Sequence, residues 1–182
     1  MQIIKKLSHE EILQSKPSVE EVLKKPRTPF YVILDNIRSL HNVGSIFRTS
    51  DAVLAQKLYL CGITGRPPRK EIDKVALGAC ELVPWEYAER TEDVLLRLRE
   101  EGVKICALEL THESKNFWEV NYEFPVALLL GGEVDGVSDE LMKYVDFAVS
   151  LPMLGRANSL NVANAYTVMA YEFLKQYSEF SS

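Results

Sequence analysis

Five short, almost uninterrupted apolar runs recur along this chain, at residues 30–34, 57–61, 104–108, 126–130 and 147–151. Strands that are apolar at nearly every position are covered on both faces, as in parallel sheets. Helical patterns fill the intervals, at residues 43–54, 70–77, 91–101 and 139–145. Strand and helix in alternation predict an α/β fold, a largely parallel sheet flanked by helices. Residues 82–85 are a weaker sixth strand, which Pro84 would confine to an edge or a bend. Thr91 should cap its helix, with Glu92 and Asp93 favouring the positive end of the dipole, and Gly102 should end it. Ser138 should cap the helix that opens on Asp139 and Glu140.

Residues 1–27 are charged, helical in propensity and interrupted by Pro17 and Pro26, so they read as a helical N-terminal extension. Residues 28–182 then form a single globular domain, a size that allows a sizeable core. No run of about 18 apolar residues is present, which argues against a membrane span. The opening MQIIKKLSHEE has no signal-peptide core. Cys61, Cys80 and Cys106 are scattered, and His9, His41 and His112 lack ligand spacing. That pattern predicts no metal and no disulfide framework, and fits a reducing cytoplasm. The net charge of -5 counts against a broad electrostatic grip on nucleic acid. Basic residues do cluster locally, in GRPPRK (Arg66, Arg69, Lys70) and at Lys24, Lys25 and Arg27, where they could serve as phosphate contacts.

Three polar loops follow predicted elements. In NIRSLHNVGSIFRTSDA, Asn42 can cap a helix whose buried face is Val43, Ile46, Phe47 and Leu54. Arg48 falls about 100° from Phe47, at the edge of that face. There it needs a carboxylate, a phosphate or a carbonyl, and Asp51 is the plain structural choice. In LLLGGEVDGVSDE, Gly131 and Gly132 allow close approach of a ligand where a buried strand ends. Neither GxGxxG nor GxxxxGK occurs, so neither a dinucleotide fold nor a P-loop is indicated. Glu133 would receive the amides of its turn. In PMLGRANSLNVANAYTVMAYE, a turn carrying Arg156, Asn158, Ser159 and Asn161 runs into a helix. Ser159 or Asn158 is its expected N-cap. Two apolar series, Leu160-Ala163-Thr167-Ala170-Leu174 and Val162-Tyr166-Met169-Phe173-Tyr177, predict two buried faces. The turn reads as a ligand cradle backed by a partner surface, or as an ordinary capped C-terminal helix.

NVGSIFRTSDA, LLLGGEVDGVSDE and LPMLGRANSLNVANA resemble the three signature motifs of the SpoU/TrmH family of RNA ribose 2′-O-methyltransferases, within the SPOUT superfamily. The resemblance spans roughly residues 30–177. It implies a C-terminal trefoil knot, S-adenosylmethionine as methyl donor, a tRNA or rRNA substrate, and a homodimer with active sites at the interface. By the same resemblance, Asn42, Arg48, Glu133, Ser159 and Asn161 are catalytic-site residues. Leu108, Gly131, Gly132, Leu151, Met153, Ser159 and Leu160 would hold the cofactor. Arg38, Arg66, Arg69, Lys70 and Arg156 are candidate RNA contacts. Arg48 would activate the hydroxyl, either by orienting a substrate phosphate that takes the proton or by stabilising an alkoxide, since a guanidinium stays protonated. A non-catalytic RNA-binding dimer and an enzyme methylating a base nitrogen are the rival readings.

Overall fold

The computed structural model describes residues 4–133 and 135–180, without the side chain of Phe180. Met1, Gln2, Ile3, Val134, Ser181 and Ser182 lie outside the described residues. Seven strands form one sheet: β1 (Thr28–Asp35), β2 (Ala55–Cys61), β3 (Trp85–Ala88), β4 (Lys104–Leu108), β5 (Lys115–Asn116), β6 (Val126–Leu130) and β7 (Phe147–Ser150). Their order is β3-β2-β1-β6-β4-β7-β5 and every pairing is parallel. All five residues of β6, in the middle of the sheet, are buried. Because every strand runs the same way, all the carboxyl ends lie along one edge, where α/β proteins place ligands.

Alternation along β1 divides the core. Phe30, Val32 and Leu34 face α3 (Leu40–Ala52), α4 (Lys70–Ala76), α5 (Ala79–Leu82) and α8 (Val162–Phe180). Ile33 faces the other layer, α6 (Thr91–Glu100) and α7 (Asp139–Met142), through Val94, Leu95, Leu98 and Leu141. Phe173 of α8 shows how tightly the first layer closes. It is fully buried, with its ring 5.2 Å from that of Phe30 and 4.8 Å from that of Tyr122. A side chain so placed contributes roughly 1.5–3 kcal/mol by burial alone.

Helix α8 lies between the sheet and the connection that precedes β6. The Gln176 side chain accepts from Tyr122 N (3.0 Å) and donates to Val120 O (2.9 Å). Of the two apolar series on α8, Ala163, Tyr166, Met169, Ala170 and Phe173 are buried within the chain, Val162, Thr167, Leu174 and Tyr177 are half-buried, and Leu160, which precedes the helix, is exposed. Thr167 of the first meets Thr49 of α3 (Oγ1–Oγ1 3.0 Å), and the second packs on the sheet. The outward side of α8 also exposes Val168 and Tyr171.

Several element ends differ from expectation, each for a local reason. Helix α3 starts before Asn42, because Ser39 caps it and accepts from Asn42 N at 3.3 Å. It ends at Ala52; Leu54 adopts φ 52°, and Val53 fills the buried place expected of Leu54. Thr91 is the first residue inside α6 rather than its cap, and its hydroxyl donates to Asp35. Ser138 does cap α7, which stops at Met142, and Gly102 follows α6 with φ 78°. The weak sixth strand lies three residues later than expected, since residues 79–82 coil into α5 and Pro84 precedes β3. It does occupy a sheet edge.

The extension folds into α1 (His9–Ser15) and α2 (Val19–Lys24), each opened by a capping box, Ser8 with Glu11 and Ser18 with Glu21. Neither helix contains a buried residue. Arg27 ties the start of β1 to the body, donating to Ala55 O (3.1 Å) and Leu82 O (2.5 Å).

Candidate active site

A cavity of about 470 Å³ opens at the carboxyl ends of β4, β6 and β7. Its volume falls in the range of small-molecule sites. Leu108, Gly131, Gly132, Leu151, Met153, Ser159 and Leu160, predicted to hold a cofactor, all line it. Its floor is set by Gly131. A Cβ there would stand 2.1 Å from Gly136 C and 2.4 Å from Val137 N, so the two arms of the β6–α7 turn touch through a bare backbone. Sequence reasoning missed Glu109, which follows β4 and also lines the cavity. Its carboxylate accepts from Val137 N (2.9 Å) and Leu110 N (2.9 Å), binding that turn to the end of β4. Only its place one residue after a predicted strand hinted at this.

Beside the cavity, one residue from each of the three motifs joins a single hydrogen-bonded line. Asn42 Nδ2 donates to Glu133 Oε1 at 3.0 Å, and Asn161 Nδ2 donates to Asn42 Oδ1 at 3.1 Å. Asn161 Oδ1 in turn accepts from Ala163 N (3.0 Å) and Asn164 N (3.4 Å). Asn161, not Ser159 or Asn158, is thus the N-cap of α8, because the turn stays non-helical two residues longer than expected. Ser39 frees the Asn42 side chain for this line by taking the cap of α3. Burial acts to raise the Glu133 carboxyl, but hydrogen bonds from its own amide, from Asn42 and from the Ser39 and Arg38 backbone outweigh it. The carboxyl sits below its ordinary value and is ionised at neutral pH.

That charge is what orders the line: an acceptor-only carboxylate forces the Asn42 amide to present nitrogen to Glu133 and oxygen to Asn161. Glu133→Gln keeps the volume but removes the direction. We expect methyl transfer to fall at least tenfold, read as initial rate at saturating donor, with the melting temperature changed by no more than a few degrees. An unchanged rate would mean that the line does not act in the reaction.

Arg48 is the exception among the predicted residues. It lies outside the lining of the cavity and is exposed, with no hydrogen bond or ion pair, to Asp51 or any other group, among the described residues. Six residues beyond Asn42 on α3, it stands about 9 Å along the axis and roughly 120° around. The structure therefore brings together Asn42, Glu133, Ser159 and Asn161 but not Arg48. Arg38, Arg66, Arg69, Lys70 and Arg156 are all exposed, on segments that follow β1, β2 and β7 at the same edge as the cavity.

S-adenosylmethionine fits this donor set. Leu108, Leu130, Leu151, Leu160 and Val162 offer an apolar wall, and Gly131 lets the β6–α7 turn close against the strand end so that Gly132 and Glu133 line the cavity. The all-parallel sheet flanked by helices, with a glycine-lined cavity at its strand ends, is the architecture of SPOUT methyltransferases. The solved structure of the Aquifex aeolicus TrmH/SpoU tRNA-modifying enzyme superposes with a TM-score of 0.81 at 34% identity, covering 94% of this chain and 85% of that one. The AdoMet-bound rRNA methyltransferase of Sinorhizobium meliloti matches with a TM-score of 0.77 at 32% identity, over 85% of this chain and 59% of that one. A tRNA (guanosine(18)-2′-O)-methyltransferase of Aquifex aeolicus is 35% identical over 161 residues, 88% of this chain and 76% of its own length. Residues 29–171 match the model of the SpoU rRNA methylase family, and the chain belongs to that family.

Proposed function

We propose that this protein is an RNA methyltransferase that places a methyl group on a ribose 2′-hydroxyl of tRNA, acting as a homodimer in the cytoplasm. The observation that carries the reading is the Glu133–Asn42–Asn161 line, which joins all three motifs at the wall of the cavity. The tRNA preference is supported by the guanosine-18 tRNA enzyme of Aquifex aeolicus, similar over most of both chains. Residues 28–182 carry the catalytic unit, and the extension of residues 1–27 is an accessory to RNA binding.

When bound, S-adenosylmethionine would supply a methyl carbon activated by its sulfonium charge, to which the ribose oxygen would bond as the C–S bond breaks and S-adenosylhomocysteine leaves. The chain must therefore orient a neutral hydroxyl and direct its proton. Leu108, Leu151 and Leu160 would exclude water from the reacting side. The Asn42 and Asn161 amides fix the β6–α7 turn against the start of α8, so both loops hold one shape around the donor. Ser159, on the same wall, is a hydrogen-bonding group for donor or ribose.

Arg48 would enter the site of a second copy. Within its own chain it has no partner among the described residues and lies outside the cavity. It sits one residue before Thr49, where α3 and α8 are joined, and the adjoining side of α8 exposes Val168 and Tyr171. A two-fold pairing through that region would bury the apolar side chains and carry each guanidinium across the interface. There Arg48 would clamp the phosphate 3′ to the reacting ribose in a bidentate pair, and that phosphate would take the proton.

Incubating the protein with tritium-labelled methyl donor and an unmodified tRNA transcript, followed by nucleoside analysis, tests the reading. Label is expected in a 2′-O-methylated nucleoside. Label in a base, or donor binding without transfer to any RNA, would contradict it.

A further inference from the structure

We propose that the stacked pair Arg66–Tyr87 is a landing platform for an RNA base next to the methylated nucleotide; this rests on the function proposed above. Trp85 packs edge-on against Phe47 of α3, with ring centroids 6.4 Å apart, so β3 directs Trp85 and, two residues on, Tyr87 toward the α3 face of the sheet. Tyr87 remains 38% exposed, near the carboxyl end of an edge strand. The Arg66 guanidinium lies over that ring, 3.7 Å from its centroid. Arg66 itself is exposed and has no carboxylate partner among the described residues. A planar cation fixed on one face by an aromatic ring presents its other face to solvent, and a nucleobase stacks well on such a plane.

The platform is coupled to the reaction site through its backbone. Gly65 N bonds to Ile37 O (3.3 Å), and Gly65 packs so closely on Leu40 that an added Cβ would lie 2.2 Å from Leu40 Cδ2. Arg66 thus follows a residue packed on Leu40, the first residue of α3 and two before Asn42. Across the sheet, β3 stands three strands from β6, a separation of about 14 Å. Arg69, at the end of the same loop, and Lys70, the first residue of α4, are exposed and supply positive charge for the intervening phosphates. An otherwise acidic protein therefore concentrates cation and aromatic surface where a strand leaving the catalytic ribose would pass.

The test compares full-length wild type with Arg66→Ala, Tyr87→Ala and Tyr87→Phe on the unmodified tRNA transcript. It measures RNA affinity, KM, donor affinity and melting temperature. Arg66→Ala and Tyr87→Ala are expected to weaken RNA binding about tenfold with donor affinity unchanged, and Tyr87→Phe, which keeps the ring, to restore most of it. In transcripts made abasic at single positions flanking the methylated nucleotide, one lesion should weaken wild type about tenfold and the Tyr87→Ala variant hardly at all. The inference is overturned if the alanine variants bind RNA like wild type, if they lose donor affinity equally, or if every lesion costs both proteins the same. If wild type neither binds nor methylates RNA, the functional reading fails and this one with it.

Discussion

Gly131→Ala is expected to lower affinity for S-adenosylmethionine by about a hundredfold, as the loss of one or two buried hydrogen bonds would, because the turn that lines the cavity must shift. The added Cβ would sit 2.1 Å from Gly136 C and 2.2 Å from Gly136 O. Those are backbone atoms of a turn that Glu109 already holds to β4, so they cannot swing aside as a flexible side chain would. Relief must come from the turn moving away from β6, which displaces Gly132 and Glu133 together. Glu133 would then leave Asn42, and the line to Asn161 would break. Overpacking of this kind costs about 1–3 kcal/mol, and a chain of this size should lose roughly 5 °C of melting temperature. The protein should remain folded, so isothermal titration with the donor separates loss of the cavity from loss of the fold. Donor affinity within a factor of three of wild type would mean that the floor at Gly131 is not where the ligand rests.

Arg48→Ala should have the opposite signature. Methyl transfer is expected to fall by about a thousandfold or more, as when a charge-stabilising donor is removed from an active site, while donor affinity stays within about twofold of wild type. The reason is positional. Arg48 is exposed on α3, outside the cavity lining, so its truncation removes no contact from the donor pocket of its own chain. Arg48→Lys would retain charge but lose the bidentate fork, and should recover only a small part of the rate if phosphate orientation is the role. Substantial recovery with Lys would favour simple stabilisation of a developing alkoxide.

Much of the scaffold was legible because its signals are local. The continuous apolar runs of β1 and β6 announced burial on both faces, and the periodicity of residues 162–177 announced a doubly packed helix. Gly131 and Gly132 stood out because two glycines ending a buried strand have little other purpose. What escaped was decided between distant segments. Ser39 and Asn42 are both competent caps, and the choice fell to Ser39 while the Asn42 amide is engaged by Glu133, 91 residues away. Asn161 became the cap of α8 while also reaching back to Asn42, a contact across 119 residues that no local pattern carries. That α3 meets the Thr167 side of α8 could not be read locally, because the two threonines that join them are 118 residues apart. Glu109 and Tyr87 carry no local signal of their contacts, which come from the β6–α7 turn and from the loop after β2.

The most direct test of the account is a mixed dimer, co-expressed with two tags and purified through both, that pairs one Arg48→Ala copy with one Gly131→Ala copy. Each parent homodimer should be inactive. If the guanidinium of one copy serves the cavity of the other, the mixed dimer contains one complete site of two and should show about half the wild-type methyl transfer to tRNA. A mixed dimer as inactive as its parents would contradict the account, because it would mean that Arg48 and the cavity must belong to the same chain.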